Sequence, residues 1–253
     1  MPNFKLFMAL ALITHFLSFS VQAETNWVGF QVGDDDVKAL IALPKGTGPH
    51  PAVIYNHGGI VREKGYSTAT ERGYDMIGYV EAIAEAGYVG FAPVREHLTN
   101  EDYEAAISGG VKIVKAAIGY LKRHNKVDPS RIGAIGFSEG GLVTLWSAIE
   151  GAGLKTVVLM SPATIRDAGK RQLKAAARRP NLQRLKMPVM LTVGTDDNRS
   201  IRRVTERRLT PNMNKLGKTF VRKSDYPGDH KWFWQVRKDH FSDVTAFLAK
   251  HMK

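Results

Sequence analysis

The sequence predicts an α/β protein built on a mostly parallel central sheet of about eight strands with helices on both faces. Three observations carry this. Strand and helix patterns alternate from residue 52 to the end. Several strand patterns, such as Ala52-Val-Ile-Tyr55 and Met187-Pro-Val-Met-Leu-Thr-Val193, are nearly continuous apolar runs. Such runs are expected where both faces of a parallel sheet are covered. Finally, the apolar run 131–136 turns through Gly136-Phe-Ser-Glu-Gly-Gly141 straight into the helix-like Leu142-Val-Thr-Leu-Trp-Ser-Ala-Ile149.

Residues 1–23 read as a secretory leader. Lys5 supplies the positive start, Leu6 to Phe19 is mainly apolar, and Val21-Gln22-Ala23 offers small residues for cleavage. The expected mature protein is residues 24–253, one exported domain with no stable membrane insertion. Trp27–Val32 and Val37–Leu43 read as strands joined by the acidic turn Gly33-Asp-Asp-Asp36. That turn lacks the glycine and distant glutamate of a calcium loop, so it reads as solvated. The strand 52–56 runs into His57-Gly58-Gly59, and a polar loop is expected from there to Tyr74. Helices are expected over 76–86, 101–123, 201–216 and 234–250. The 101–123 pattern carries Ile107, Val111, Val114, Ile118 and Leu121 on one stripe. Further strands are expected at 88–92, 155–160, 187–193 and 218–222.

The chain contains no cysteine, which excludes disulfides, thiolate metal sites and a cysteine nucleophile. His15, His50, His97, His124, His240 and His251 form no metal-binding spacing, and those beyond the leader read as surface residues. No G-x-G-x-x-G fingerprint is present, so no nicotinamide cofactor, and no cofactor of any kind, is expected.

The chemistry centres on Ser138. A sharp strand-to-helix turn strains the serine backbone and lifts its hydroxyl clear of the sheet. Gly136 and Gly140 leave room for the chain there. The helix N-terminus places free N–H groups where an oxyanion would form. A serine needs a base, and the base needs an acid that fixes its tautomer. Asp196 and Asp197 follow one predicted strand and His230 follows the next, giving the order Ser, Asp, His. For the oxyanion, one donor is expected from Glu139 and another from Gly59 or Gly58.

Taken in order, His57-Gly58-Gly59, Gly136-Phe-Ser-Glu-Gly-Gly141, Pro188-Val-Met-Leu-Thr-Val-Gly194-Thr-Asp-Asp197 and Tyr226-Pro-Gly-Asp-His230 with Phe233 carry a resemblance. The sequence resembles α/β-hydrolases of the dienelactone hydrolase and prolyl-oligopeptidase-like group over most of residues 30–250. The resemblance implies the α/β-hydrolase fold and a triad of Ser138, Asp197 and His230. It selects Asp197 over Asp196, because the group's acid sits three residues after the strand-ending glycine. It selects His230 by the Tyr-Pro-Gly turn. Two departures stand out. Members named for dienelactone hydrolysis carry a cysteine nucleophile, and Asn198-Arg-Ser-Ile201 stands where a proline is common.

The formal net charge is +12, and loss of the leader removes only Lys5 from that balance. Between Ser161 and Lys186 eight basic residues face Asp167 alone, and Arg199, Arg202, Arg203, Arg207 and Arg208 follow Asp197. These segments form either a solvated face or a basic rim that steers an anionic substrate. Arg95 and His57 are candidate substrate-binding residues, with His57 more an orienter than a base. The expected activity is ester hydrolysis on a small-molecule substrate, neutral or anionic, with no nucleic acid partner. A peptidase of the prolyl-oligopeptidase-like type and a non-catalytic protein that binds an anionic polymer are the rivals. The short segment 24–51 before the catalytic sheet favours the esterase. Oligomeric state is not encoded in any pattern of the chain.

Overall fold

The computed structural model describes residues 24–98, 101–165 and 170–252, so the expected leader, residues 1–23, lies outside the described residues. Eight strands are present: β1 Thr25–Val32, β2 Asp35–Ala42, β3 His50–Asn56, β4 Val89–Pro93, β5 Val127–Phe137, β6 Val157–Met160, β7 Val189–Gly194 and β8 Phe220–Tyr226. They form one sheet in the order β1-β2-β4-β3-β5-β6-β7-β8. The β1–β2 hairpin and the β2–β4 pair are antiparallel. Every pairing from β4 through β8 is parallel.

The helices between them are α1 Gly59–Lys64, α2 Tyr66–Glu71, α3 Met76–Glu85, α4 Tyr103–Arg123, α5 Glu139–Ile149, α6 Leu173–Ala176, α7 Arg179–Gln183, α8 Arg199–Val204, α9 Thr210–Lys215 and α10 Lys238–His251. Period-two alternation along β3 shows why its run is wholly apolar. Ala52 and Ile54 enter the core beneath α4 and α5, while Val53 and Tyr55 enter the core beneath α3 and α10. The α4 stripe Ile107, Val111, Val114, Ile118 and Leu121 is buried as its spacing requires. Each such side chain contributes roughly 1.5–3 kcal/mol of apolar burial. No helix among the described residues is long and apolar enough to cross a membrane.

Two expectations are corrected. The polar loop expected between Gly59 and Tyr74 folds as α1 and α2, and Val61, Arg62 and Ala69 are buried. Its polarity misleads because Arg62 is neutralised inside the protein by Glu139. His240 is fully buried rather than at the surface, packed against Tyr226 and Phe233. The helix expected at 201–216 runs from Arg199 to Lys215, with a wide π turn at Thr205–Leu209 between α8 and α9.

Because β3 through β8 are parallel, the loops that follow β3, β5, β6, β7 and β8 gather at one edge. The chain leaves β3 for β4 on one side and returns to β5 on the other. The crevice for a ligand therefore opens where strand order reverses, at the ends of β3 and β5.

Candidate active site

Ser138 links β5 to α5 with φ 53° and ψ −117°, a conformation a non-glycine residue adopts only when its surroundings impose it. Its own N–H donates to Met160 O at 2.9 Å, and its carbonyl accepts from Ala163 N at 2.8 Å. The flanking glycines are demanded by contact. A Cβ on Gly136 would lie 2.2 Å from Gly140 O, and one on Gly140 would lie 2.0 Å from Asn56 O. The turn can form only with the helix backbone pressed onto the end of β3.

Three polar groups converge in line. Ser138 Oγ lies 2.8 Å from His230 Nε2, and His230 Nδ1 lies 2.9 Å from Asp197 Oδ1. With Nδ1–H directed at the carboxylate, Nε2 is left to accept the serine proton. Asp197 Oδ1 also accepts from Asn198 N at 2.6 Å, and its other oxygen accepts from Ser161 Oγ. Asp196 points elsewhere; it is exposed and accepts from Thr195 Oγ1 at 3.0 Å. The acid and base loops are joined by backbone bonds, Thr195 N to Tyr226 O at 2.9 Å and Asp196 N to Gly228 O at 3.0 Å. His230 opens a short 3-10 turn capped by Asp229, whose side chain accepts from Lys231 N and Trp232 N. Phe137 packs on its ring, with centroids 4.8 Å apart.

A cleft of about 360 Å³ opens over Ser138, lined by Gly59, Glu63, Tyr103, Glu139, Ala163 and Ile165. Gly59 and Glu139 are the first residues of α1 and α5, so their N–H groups have no partner within their own helices. The Gly58 amide is already used, donating to Tyr74 Oη at 2.8 Å. Of the three oxyanion candidates, Gly59 and Glu139 therefore remain free to serve. Tyr74 also bonds Tyr55 Oη at 2.9 Å, and burial pushes its phenol up to about 12, so it stays protonated.

Arg95 and His57, the expected substrate contacts, do not line this cleft. Both are fully buried beneath it. Arg95 N donates to His57 Nε2 at 3.0 Å, which makes Nδ1 the protonated nitrogen, donating to Gly58 O at 2.8 Å. Burial, then the neighbouring Arg95 charge, hold His57 well below its usual range, so the ring is neutral. Arg95 Nη2 donates to His57 O at 2.6 Å and to Glu139 Oε1 at 3.3 Å. Arg62 grips the same carboxylate through Nε and Nη2, each at 3.0 Å from Oε2. Both residues brace the His57-Gly58-Gly59 turn against the start of α5. This is how the two candidate oxyanion donors come to share one cleft.

Sequence reasoning missed Ser161, Tyr74, Arg62 and the carboxylate of Glu139. The Ser161-Pro162 pair at a strand end was a signal for the first. Nothing in the sequence distinguishes Arg62 from the solvated arginines. Among the described residues no group of three His, Cys, Asp or Glu side chains could hold a metal ion.

The sheet order and the strained serine between β5 and α5 define an α/β hydrolase. More narrowly, the chain belongs to the dienelactone hydrolase family, which it matches over residues 37–247. A Bacillus subtilis (strain 168) protein named "Putative hydrolase YtaP" is 31% identical over 135 residues, which is 46% of this chain and 45% of that protein. The chain thus spans under half the length of this relative. The Pyrococcus horikoshii acylaminoacyl peptidase superposes with a TM-score of 0.75 at 17% identity, covering 92% of this chain and 42% of that one. Dienelactone hydrolase from Anabaena variabilis ATCC 29413 gives 0.64 at 17% identity, covering 91% and 97%. At these identities the solved structures speak for the fold.

Proposed function

We propose that this hydrolase is an exported serine esterase that works through an acyl-enzyme. The observation that carries the reading is the unbroken line Ser138–His230–Asp197 at 2.8 and 2.9 Å, built on a serine held at φ 53°. In the first half-reaction Ser138 Oγ attacks the ester carbonyl while His230 Nε2 takes the hydroxyl proton. The carbonyl oxygen becomes an oxyanion next to the N–H groups of Gly59 and Glu139. When the intermediate collapses, the C–O bond to the alcohol breaks, and His230 returns its proton to the departing oxygen. Water then repeats the sequence on the acyl-enzyme and releases the acid. Asp197 keeps Nδ1 protonated and stabilises the imidazolium in each half.

The cleft is small and lies against the surface, which suits a short acyl group. Export rests on the leader read in residues 1–23. The test is a fluorophosphonate probe combined with turnover of p-nitrophenyl acetate. Wild-type protein should label at Ser138 and hydrolyse the ester. Ser138→Ala should lose the label and at least ~10³ in kcat, as removal of a nucleophile does elsewhere. Normal turnover by the variant, or labelling at another residue, would overturn the assignment. An acyl-amino p-nitroanilide assayed in parallel measures whether amides are also cleaved.

A further inference from the structure

The basic residues between Ser161 and Arg208 that the structure describes separate into several sets in space. Arg171 is spent on Glu104 and Glu150. Arg179 bonds Asn212, and Arg202 bonds the carbonyl of Thr195. Lys174, Arg199, Arg203, Arg207 and Arg208 instead line one groove of about 950 Å³. All five are exposed, and none forms an ion pair among the described residues. The acid on the same helical segment, Glu206, is engaged by Arg222 at 3.2 Å. Five like charges facing one concavity repel one another, so the groove has a standing attraction for an anion.

The groove adjoins the catalytic cleft. Ile165 lines both, and Ala163 in the cleft is next to Thr164 in the groove. At about 3.3–3.6 Å per residue, the chain from Ala163 to Ile165 spans no more than roughly 7 Å. Ala163 N is itself bonded to Ser138 O at 2.8 Å. Thr164 Oγ1 lies 3.2 Å from Ser200 Oγ, which ties this loop to α8. Ile165 has φ 45°, a value a β-branched residue adopts only under constraint, and it lies at the junction of the two cavities. The far wall is the helical segment with the π turn, which carries Arg207 and Arg208. Turns of this kind recur at functional sites because they re-aim side chains.

We propose that this groove binds the anionic part of the ester substrate while the ester carbonyl sits over Ser138. The substrate class is an ester joined to carboxylate, phosphate or sulfate groups. The groove's volume is more than twice that of the catalytic cleft, which leaves room for several anionic units of an acidic oligomer. This inference rests on the serine esterase reading, and the experiment separates the two.

The ratio of kcat/KM for a carboxylate-bearing aryl ester (mono-p-nitrophenyl succinate) to that for p-nitrophenyl acetate is measured in wild type. It is measured also in the double variant Arg203→Gln with Arg207→Gln, and in Lys122→Gln, a single-charge control on the exposed side of α4. Wild type should favour the anionic ester about tenfold, with the preference shrinking as salt rises from about 0.05 to 0.5 M. The double variant should lose most of it, and Lys122→Gln should keep it. A second arm measures binding of polygalacturonate and of free succinate to Ser138→Ala by titration calorimetry, with and without the double change. Binding of both ligands that the double change weakens identifies single anionic groups as sufficient. Binding of the polymer alone, lost in the double variant, identifies an oligomeric substrate. A flat ester ratio together with no binding of either anion overturns the groove proposal, while fluorophosphonate labelling of Ser138 leaves the esterase reading intact. Absence of labelling with intact anion binding overturns the esterase reading instead, and leaves the groove as an anion site without ester chemistry beside it.

Discussion

Arginine has opposite roles on the two sides of Ser138. On the β3 side Arg62 and Arg95 are almost wholly buried and share the carboxylate of Glu139. On the β7 side Arg199, Arg203, Arg207 and Arg208 are exposed and face open space. A guanidinium removed from water is tolerable only with a carboxylate and several hydrogen bonds, so the buried pair can do one thing, which is to hold backbone in place. An exposed guanidinium keeps its hydration and can exchange it for a ligand. Position relative to the sheet decides whether a guanidinium is locked inside or left open to solvent.

The buried pair depends most on Glu139. Glu139→Gln removes the carboxylate that the buried guanidinium groups of Arg62 and Arg95 share. Uncompensated buried charge costs about 3–5 kcal/mol. Urea unfolding should show a loss of that order, whereas Arg203→Gln in the groove should stay within ~0.5 kcal/mol. Equal small losses would mean that the buried cluster is not held by charge.

Acid is the next largest perturbation, because burial keeps two imidazoles neutral, and for His240 it outweighs the opposing pull of the Asp243 carboxylate. Burial pushes His240 down to about 4, and its Nε2 meets only Thr192 Oγ1 at 3.2 Å. His57 is lowered as well, by burial and then by Arg95. The sign follows from proton uptake. Below the ordinary histidine value of about 6.5 the unfolded chain binds protons that the folded chain refuses, so stability falls as pH falls. The stability is fully present above about pH 6.5 and drains away toward the folded values. For His240 the full loss is roughly 3 kcal/mol. Unfolding curves at about pH 7.5, 6 and 5 should step downward, and His240→Gln should flatten the slope. A stability curve level across that range would refute the assignment of neutral buried rings.

A buried anion beside the same serine is held by lighter means. Asp197 is buried with no arginine ion pair among the described residues, and besides His230 it is held by Asn198 N and the Ser161 hydroxyl. Ser161 has φ 43°, where glycine is at ease and serine is not. Ser161→Gly should therefore lower kcat about tenfold, since a hydrogen bond to a charged group is worth about 1.5–3 kcal/mol, while its ease at this φ keeps more of the melting temperature than Ser161→Ala does. Ser161→Ala should lose both. If the glycine variant keeps full kcat, the hydroxyl does not position Asp197.

Much of the fold and of the line Ser138, Asp197, His230 was legible because its signals are local. An apolar run with period-two burial on both faces declares a covered strand, and β3 shows this directly. Gly136 and Gly140 mark the serine turn by their spacing about Ser138, although what excludes a Cβ at Gly140 is Asn56 O at the end of β3. Strand order was not legible, nor was the burial of residues 60–71, where polar letters hide Val61 and a neutralised Arg62.

Most of the elements, the chain order of the three catalytic candidates and the excess of positive charge are written in the chain itself. Backbone sterics and hydrophobic periodicity act over a few residues and leave their trace in the chain. The three-dimensional packing alone settles that the Gly58 amide is taken by Tyr74, that Ser161 holds the second oxygen of Asp197, and that Arg95 turns inward while Arg203 and Arg207 turn outward. Those outcomes depend on partners far apart in sequence, 44 residues for Arg95 and Glu139. The free energy of a charged or polar side chain is set by its dielectric surroundings and its partners.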